Sequence, residues 1–334
     1  MTMALFTLGP VTVYRFGLAL ALGAALALAL LAWQEKKQGL KSGTASWFAV
    51  LVLPLAVLCA RIGYCLVSID WLLDRGLMFF FQFSRGGYML YGALLGCVLA
   101  GWLTGKITRQ PMGKVLDAAA APGALLIVLG RMAESLVGLG YGHDIEEWFD
   151  PFEEKAMITW ENPELLYRFP LGEQNYYGVW CFAIYLLEAI TALVILIILL
   201  KTKKPRPGGK FLLGLLLYAG MQPLWESMRQ DAVLKWGFVR ASQLFSAFAV
   251  LAVLIISWRA LPPGKRRPAA LWKGIAGILL SCGVIMAMEF ALEQKISFLT
   301  WMRMDVCYAV MALGCLGLIF SVLPAWKRAY RIEE

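Results

Sequence analysis

The chain has 334 residues, 60% of them hydrophobic, and a formal net charge of +9. Ordinary soluble domains carry about 45–50% apolar residues, so that class is excluded. The charge does not point to nucleic acid, because the Lys and Arg residues fall largely in the gaps between apolar runs.

Apolar runs of about 20 residues, each long enough to cross a bilayer, recur along the whole chain. They predict an all-α polytopic membrane protein of about nine transmembrane helices, near 12–33, 47–69, 87–104, 115–138, 177–200, 211–229, 241–258, 273–292 and 305–324. The first run has no basic n-region, is too long for a signal-peptide core and lacks a small-residue cleavage site, so it reads as a retained helix. The stretches "QEKKQGLK", "GKITRQPMGK", "KTKKPRPGGK", "RALPPGKRRPAALWK" and "AWKRAYRIEE" occupy alternate gaps, whereas the longest gap, "HDIEEWFDPFEEKAMITWENPELLYRFPLGEQ", is acidic. The positive-inside rule then places the N-terminus outside and the C-terminus in the cytoplasm, which an odd number of spans satisfies.

The one composition break is "LPPGKRRPAALWKG", residues 261–274. Residues 1–258 are expected to form a seven-helix core with an outer acidic loop over 139–176, and residues 259–334 an extra helix pair with a basic cytoplasmic tail. The seven cysteines lie in or beside the spans without a CxxC pair and read as small apolar packing residues. No disulfide, metal site or cofactor is expected. The single histidine, His143 beside Asp144, reads as a solvated surface group or, alternatively, a titrating one.

With orientation set, six arginines fall near one membrane face: Arg15, Arg61, Arg85, Arg131, Arg229 and Arg240. Arginines at span ends can snorkel. Arg61 and Arg131 lie deeper, and a guanidinium matches phosphate through planar two-point hydrogen bonding, so the set suits an anionic phospholipid headgroup. Glu134 follows Arg131 at i+3 and Arg229 follows Glu226 at i+3, so each pair shares a helix face. Such pairs are either internal ion pairs or acids that position the arginines and move a proton. Glu188 and Asp117 are further intramembrane acids. "GGYMLYGALLG" and "GLGYG" supply glycines for close helix approach or turns.

Taken together these motifs resemble the prolipoprotein diacylglyceryl transferases. "LGPVTVYRFGLALALG" resembles that family's "LGP…RWYGL…LG", "ARIGY" its second-helix arginine motif, and "GGYMLYGALLG" its "GGMSFHGGLLG". "GRMAESLVGLGYG" is similar to "GRIGNFINGELWG", "YLLEA" to "QLYEA", "LLYAGMQPLWESMRQD" to "YGLLRFLIEFFRxPD", and "SQLFS" to "GQLLS". They occur in the family's order over roughly residues 7–250. Six family positions differ: its histidine is Tyr91, its signature asparagine Glu134, and the arginine four residues before Glu226 is Gln222. Two tyrosines are Phe16 and Leu187, and one acid is Leu139.

The resemblance implies a multi-pass enzyme of the bacterial cytoplasmic membrane, working at its outer face. It implies transfer of diacylglyceryl from phosphatidylglycerol to the cysteine thiol of a prolipoprotein bearing an N-terminal signal peptide and a lipobox cysteine. Carried over by position, Arg131 holds the lipid phosphate, Gly142 closes the signature, Glu226 is the sixth-helix acid and Arg229 the arginine after it. Arg61 joins the substrate-binding set. Glu134, Tyr91 or a water between them is the expected proton acceptor, with Glu134 preferred because tyrosine, at a pKa of about 10, is a poor base at neutral pH. These side chains are expected to surround one laterally open cavity. The alternative is a catalytically impaired relative that binds anionic lipid or lipoprotein precursor without transfer. A transporter is disfavoured by the lack of a repeat or of paired broken helices.

Overall fold

The computed structural model describes residues 4–8, 11–83, 86–145, 171–175, 178–203, 205–230, 235–236, 239–295 and 301–330. Nine helices of 18 residues or more run through the described residues: α1 (Arg15–Gln38), α2 (Thr44–Val67), α4 (Leu90–Thr108), α5 (Met112–Glu134), α6 (Ile184–Lys201), α7 (Gly209–Met228), α8 (Ala241–Ala260), α9 (Pro268–Leu292) and α10 (Met304–Tyr330). A short α3 (Ile69–Arg75) follows α2. Eight of the long helices are apolar enough to cross a membrane. The ninth, α7, is more polar, and twelve of its twenty residues are buried by the helices around it.

Each expected span therefore corresponds to a long helix, and the differences lie at the ends. The run from 177 opens as strand β5 (Trp180–Ala183), and the helix starts only at Ile184. The first run opens in a hairpin of β1 (Ala4–Leu8) and β2 (Val11–Tyr14). Strands β3 (Tyr141–Asp144), β5 and β4 (Gly172–Gln174) form a small sheet with β5 in the middle, and β6 (Lys235–Trp236) pairs with β7 (Val239–Arg240). All are too short to show an alternating pattern in sequence. Most of the acidic loop, 146–170, and Arg85 lie outside the described residues.

The helix ends explain the two unlike faces. Those of α1, α4, α6, α8 and α10 carry Lys or Arg in the last turn, where a cation meets the partial negative charge of the helix terminus. Short basic turns join the helices at this end. Asp117 braces it from α5 by accepting hydrogen bonds from the backbone N–H groups of Gly208 (2.8 Å) and Phe211 (3.0 Å), two orphan donors of α7. The strands and α3 collect at the opposite end.

Small residues set the packing. An added Cβ on Gly92 or Gly96 would strike the carbonyl oxygens of Cys59 and Leu55, so α4 lies directly on the backbone of α2. Helix α5 touches α1, α4, α6 and α7, while α7 touches α5, α6, α8 and α10, which makes α5 and α7 the central pair. One hydrophobic cluster continues from Leu216 and Val250 into Ile285 and Met311, so α9 and α10 pack on the same core. Leucines such as Leu22, Leu53, Leu73 and Leu280 face outward, as lipid contact requires.

Gly96→Val is expected to destabilise the protein by about 1–3 kcal/mol through overpacking. Gly283→Ala, where nothing lies within 4 Å of the new carbon, is expected to be neutral. Unfolding of the two variants in detergent micelles checks the difference.

Candidate active site

Four charged side chains from two helices and one helix terminus close into a ring at the strand-bearing end. Arg131 Nη1 donates to Glu134 Oε1 at 2.6 Å, and its Nε lies 2.7 Å from Glu188 Oε2. Arg229 Nη1 donates to the same Glu188 oxygen at 2.9 Å, and its Nη2 lies 3.0 Å from Glu134 Oε2. Cation and anion alternate around the ring, and its net charge is zero. The side chains of Arg131, Glu134 and Arg229 keep 16%, 17% and 11% exposure, while Glu188 keeps 1%. Glu188 is thus the buried keystone, and the other three border an accessible space.

Local sequence explains how the ring is held. Arg131 and Glu134 sit on the last turn of α5, one turn apart, so their pairing is intrahelical. Arg229 lies just past the end of α7 with extended backbone (φ −75, ψ 138), so it turns away from its i−3 neighbour Glu226 and reaches across to α5 and α6. The expected Glu226–Arg229 face is corrected here, because the i,i+3 rule stops where the helix stops. Gly142 forms a β-bridge with Arg229, and an added Cβ would lie 2.7 Å from Ile184 Cγ1 and 3.0 Å from Met228 O. Gly140, at φ +81, would bring a Cβ to 2.9 Å from Glu134 Oε2. Glycine at both positions lets the 139–144 backbone lie against the ring.

The remaining candidates are placed elsewhere. Tyr91 is buried, with its hydroxyl 2.5 Å from Ser246 Oγ and its ring stacked on Phe245. Ser246 donates its own proton to Ser242 O at 2.8 Å, so Tyr91 is the donor in its pair. Glu226 accepts a hydrogen bond from Gln222 Nε2 at 3.4 Å and lies within electrostatic range of Glu188 and Tyr91. Arg61, 1% exposed, donates to the carbonyls of Phe79, Phe80 (3.1 Å), Gly86 (2.5 Å) and Gly87 (2.9 Å). It stitches the segment after α3 back onto α2 and is enclosed by the rings of Tyr64 and Phe79.

The expectation of one cavity bordered by all these charges is therefore also corrected. A half-open cavity of about 360 Å³ does lie among α1, α2, α4, α5, α6 and α7, but its walls are apolar, with Leu31, Phe48, Leu94 and Leu199 among them. Tyr218 connects the two regions: it lines the cavity, and its hydroxyl accepts a hydrogen bond from Arg131 Nη2 at 3.4 Å. Tyr218 and the ring role of Glu188 are absent from the sequence-based set. Glu188 carried a signal, as a carboxylate in mid-span; Tyr218 carried none beyond its motif. His143 is no bare surface group, since Gln230 reaches its ring nitrogens at 2.6 and 2.8 Å and Tyr308 lies against it. No cluster of three His, Cys, Asp or Glu residues suited to a metal occurs among the described residues.

Comparison with known proteins identifies the family. Residues 3–259 match the family model described as prolipoprotein diacylglyceryl transferase. The chain is 25% identical over 253 residues to the phosphatidylglycerol–prolipoprotein diacylglyceryl transferase of Halalkalibacterium halodurans, covering 75% of this chain and 83% of that protein. It is 26% identical over 255 residues to the enzyme of that name from Bacillus licheniformis (76% and 91% covered). The Clostridioides difficile enzyme of that name is 24% identical over 251 residues (75% and 92%).

Glu188→Ala is expected to cost about 3 kcal/mol or more, because it leaves two guanidinium groups facing one acid. Asp305→Asn, in the exposed Arg303–Asp305 pair, is expected to cost under about 1 kcal/mol. Denaturation of both variants under identical conditions tests the ranking.

Proposed function

Since the chain belongs to the prolipoprotein diacylglyceryl transferase family, we propose that it moves the diacylglyceryl group of phosphatidylglycerol onto the cysteine thiol of a prolipoprotein. The prolipoprotein is taken to present a signal peptide with its lipobox cysteine at the outer face of the cytoplasmic membrane. In this reading the strand-bearing end faces outward, and the short basic turns face the cytoplasm.

The observation that carries the proposal is the ring standing above an apolar cavity, joined to it by Tyr218. An acyl chain of the lipid fits the cavity, and the phosphate meets Arg131 and Arg229. Glu188 Oε1 is buried and accepts no hydrogen bond among the described residues, which suits a hydroxyl donor of the glycerol headgroup.

The ring also supplies a charge-balanced step. A neutral ring does not by itself favour an incoming anion. If Glu134 takes the thiol proton, the thiolate sulfur attacks the glycerol carbon, the carbon–oxygen bond to phosphate breaks, and glycerol phosphate leaves with one more negative charge. The same proton transfer neutralises Glu134 and releases its two arginines toward the leaving phosphate. Charge thus appears on the leaving group as its stabilising cations become available. Glu226, a turn before Arg229, is the second candidate to hold that proton. Tyr91 is assigned to the core, since its hydroxyl is committed to Ser246. Arg61 is assigned to the loop that its guanidinium holds.

Arg131→Gln is expected to lower transfer by about 100-fold or more, the scale of removing a transition-state donor. Glu134→Gln is expected to lose about 100-fold, while Tyr91→Phe loses less than about tenfold. Transfer from labelled phosphatidylglycerol to a lipobox peptide measures all three. Full activity of Glu134→Gln with a dead Tyr91→Phe would move the proton to Tyr91, and lipid binding by the wild type without any transfer would remove the enzyme assignment.

A further inference from the structure

Helix α7 ends in a way that its own sequence cannot complete. The last carbonyls of a helix lack intrahelical partners, and a basic side chain in the last turn commonly meets them. The last turn of α7 has no basic residue. Pro223 also sits inside the helix and contributes no N–H. Yet this end carries Glu226 and leads directly into Arg229.

The missing partners come from later in the chain. Arg240, at the start of α8, donates through Nη1 to the carbonyl of Glu226 and, at 3.4 Å, to that of Arg229. Tyr308 of α10 donates to the carbonyl of Ser227 at 3.4 Å. Gln243 of α8 donates to Pro223 O at 3.3 Å. Arg240 and Gln243 are held in turn by one carboxylate: Glu289 of α9 accepts from Gln243 Nε2 through Oε1 and lies 3.7 Å from Arg240 Nε. Glu289 keeps 9% exposure, in a helix whose other described residues after Lys273 are uncharged. A buried acid in an apolar span is costly unless it has a counter-charge to meet, and Arg240 is that charge.

We propose that α9 and α10, which lie beyond the stretch matched by the family, are a positioning element of the active site. Glu289 fixes Arg240, and Arg240 and Tyr308 finish the end of α7, so that Arg229 projects toward Glu134 and Glu188. Neither Glu289 nor Tyr308 touches the ring, so both act through backbone. The inference rests on the reading of Arg229 as a phosphate-binding residue.

The test uses the full-length chain in lipid nanodiscs, with Glu289→Gln, Arg240→Gln, their double variant, Glu289→Asp and Tyr308→Phe. Two backbone amides report on this end of α7: Arg229 N donates to Trp225 O at 3.1 Å, and Gln230 N donates to Tyr141 O at 3.0 Å. Glu289→Gln is expected to speed hydrogen exchange at both about tenfold, and to lower kcat for transfer about tenfold with a smaller change in KM, as expected of a misplaced group. The double variant is expected to be no worse than the worse single one, and Glu289→Asp to recover most of the loss. Unchanged exchange at Arg229 and Gln230 in Glu289→Gln overturns the proposal, whatever happens to turnover. Faster exchange with unchanged kcat overturns it too, and so do single effects that multiply in the double variant. If Arg240→Gln does not fold, Glu289→Gln combined with Tyr308→Phe replaces it in the cycle. Should the wild-type chain transfer no lipid, the proposed function falls, while exchange at these two amides still decides whether the helix pair holds this end of α7.

Discussion

Two arginines and two glutamates that neutralise one another within a membrane bundle are the constraint to which the other features answer. An isolated charge at such depth costs several kcal/mol, and only close, well-directed pairing makes it tolerable. The four groups must therefore arrive together from α5, α6 and the end of α7. The requirement fits the central place of α5 and α7, and the glycine at 140, where a side chain would press on Glu134, and at 142, where one would press on Ile184 and the Met228 carbonyl beside Arg229. A balanced ring is stable without ligand, yet one proton makes it cationic. That property links its structural cost to the chemistry assigned to it.

The remaining arginines show how differently the same residue type is used. Arg61 is enclosed by carbonyls and aromatic rings, and it holds chain where Arg131 holds charge. Arg240 completes a helix end. Residue type alone does not separate these uses, and the partners do.

Much of this was legible in the sequence because lipid permits few backbone solutions: an apolar run of about 20 residues can hardly be anything but a helix. The nine runs were therefore readable, and so was the Arg131–Glu134 pair, since both residues fall inside one helix. The Glu226–Arg229 pair misled because a helix terminus is set by tertiary contacts, and α7 stops one residue before Arg229. Tyr91 stands out in the glycine-flanked stretch "GGYMLYGALLG", but whether its hydroxyl faces an open site or Ser246 depends on where α8 packs. The strands escaped notice because two to five residues carry no readable period. Glu289 is an odd charge in a late span of the sequence, and its partner Arg240 lies 49 positions earlier with nothing local to link them.

The end of α7 has a bearing on biogenesis. Tyr308, which meets Ser227, lies 81 residues further along. At ~5–20 residues per second, the ribosome needs roughly 4–16 s to make that stretch. Within that interval Arg240 and Gln243 are added early, Glu289 late and Tyr308 last. On the proposed reading the end of α7 is completed only as synthesis reaches the last helix, and a product released before that helix would lack the Tyr308 contact to Ser227.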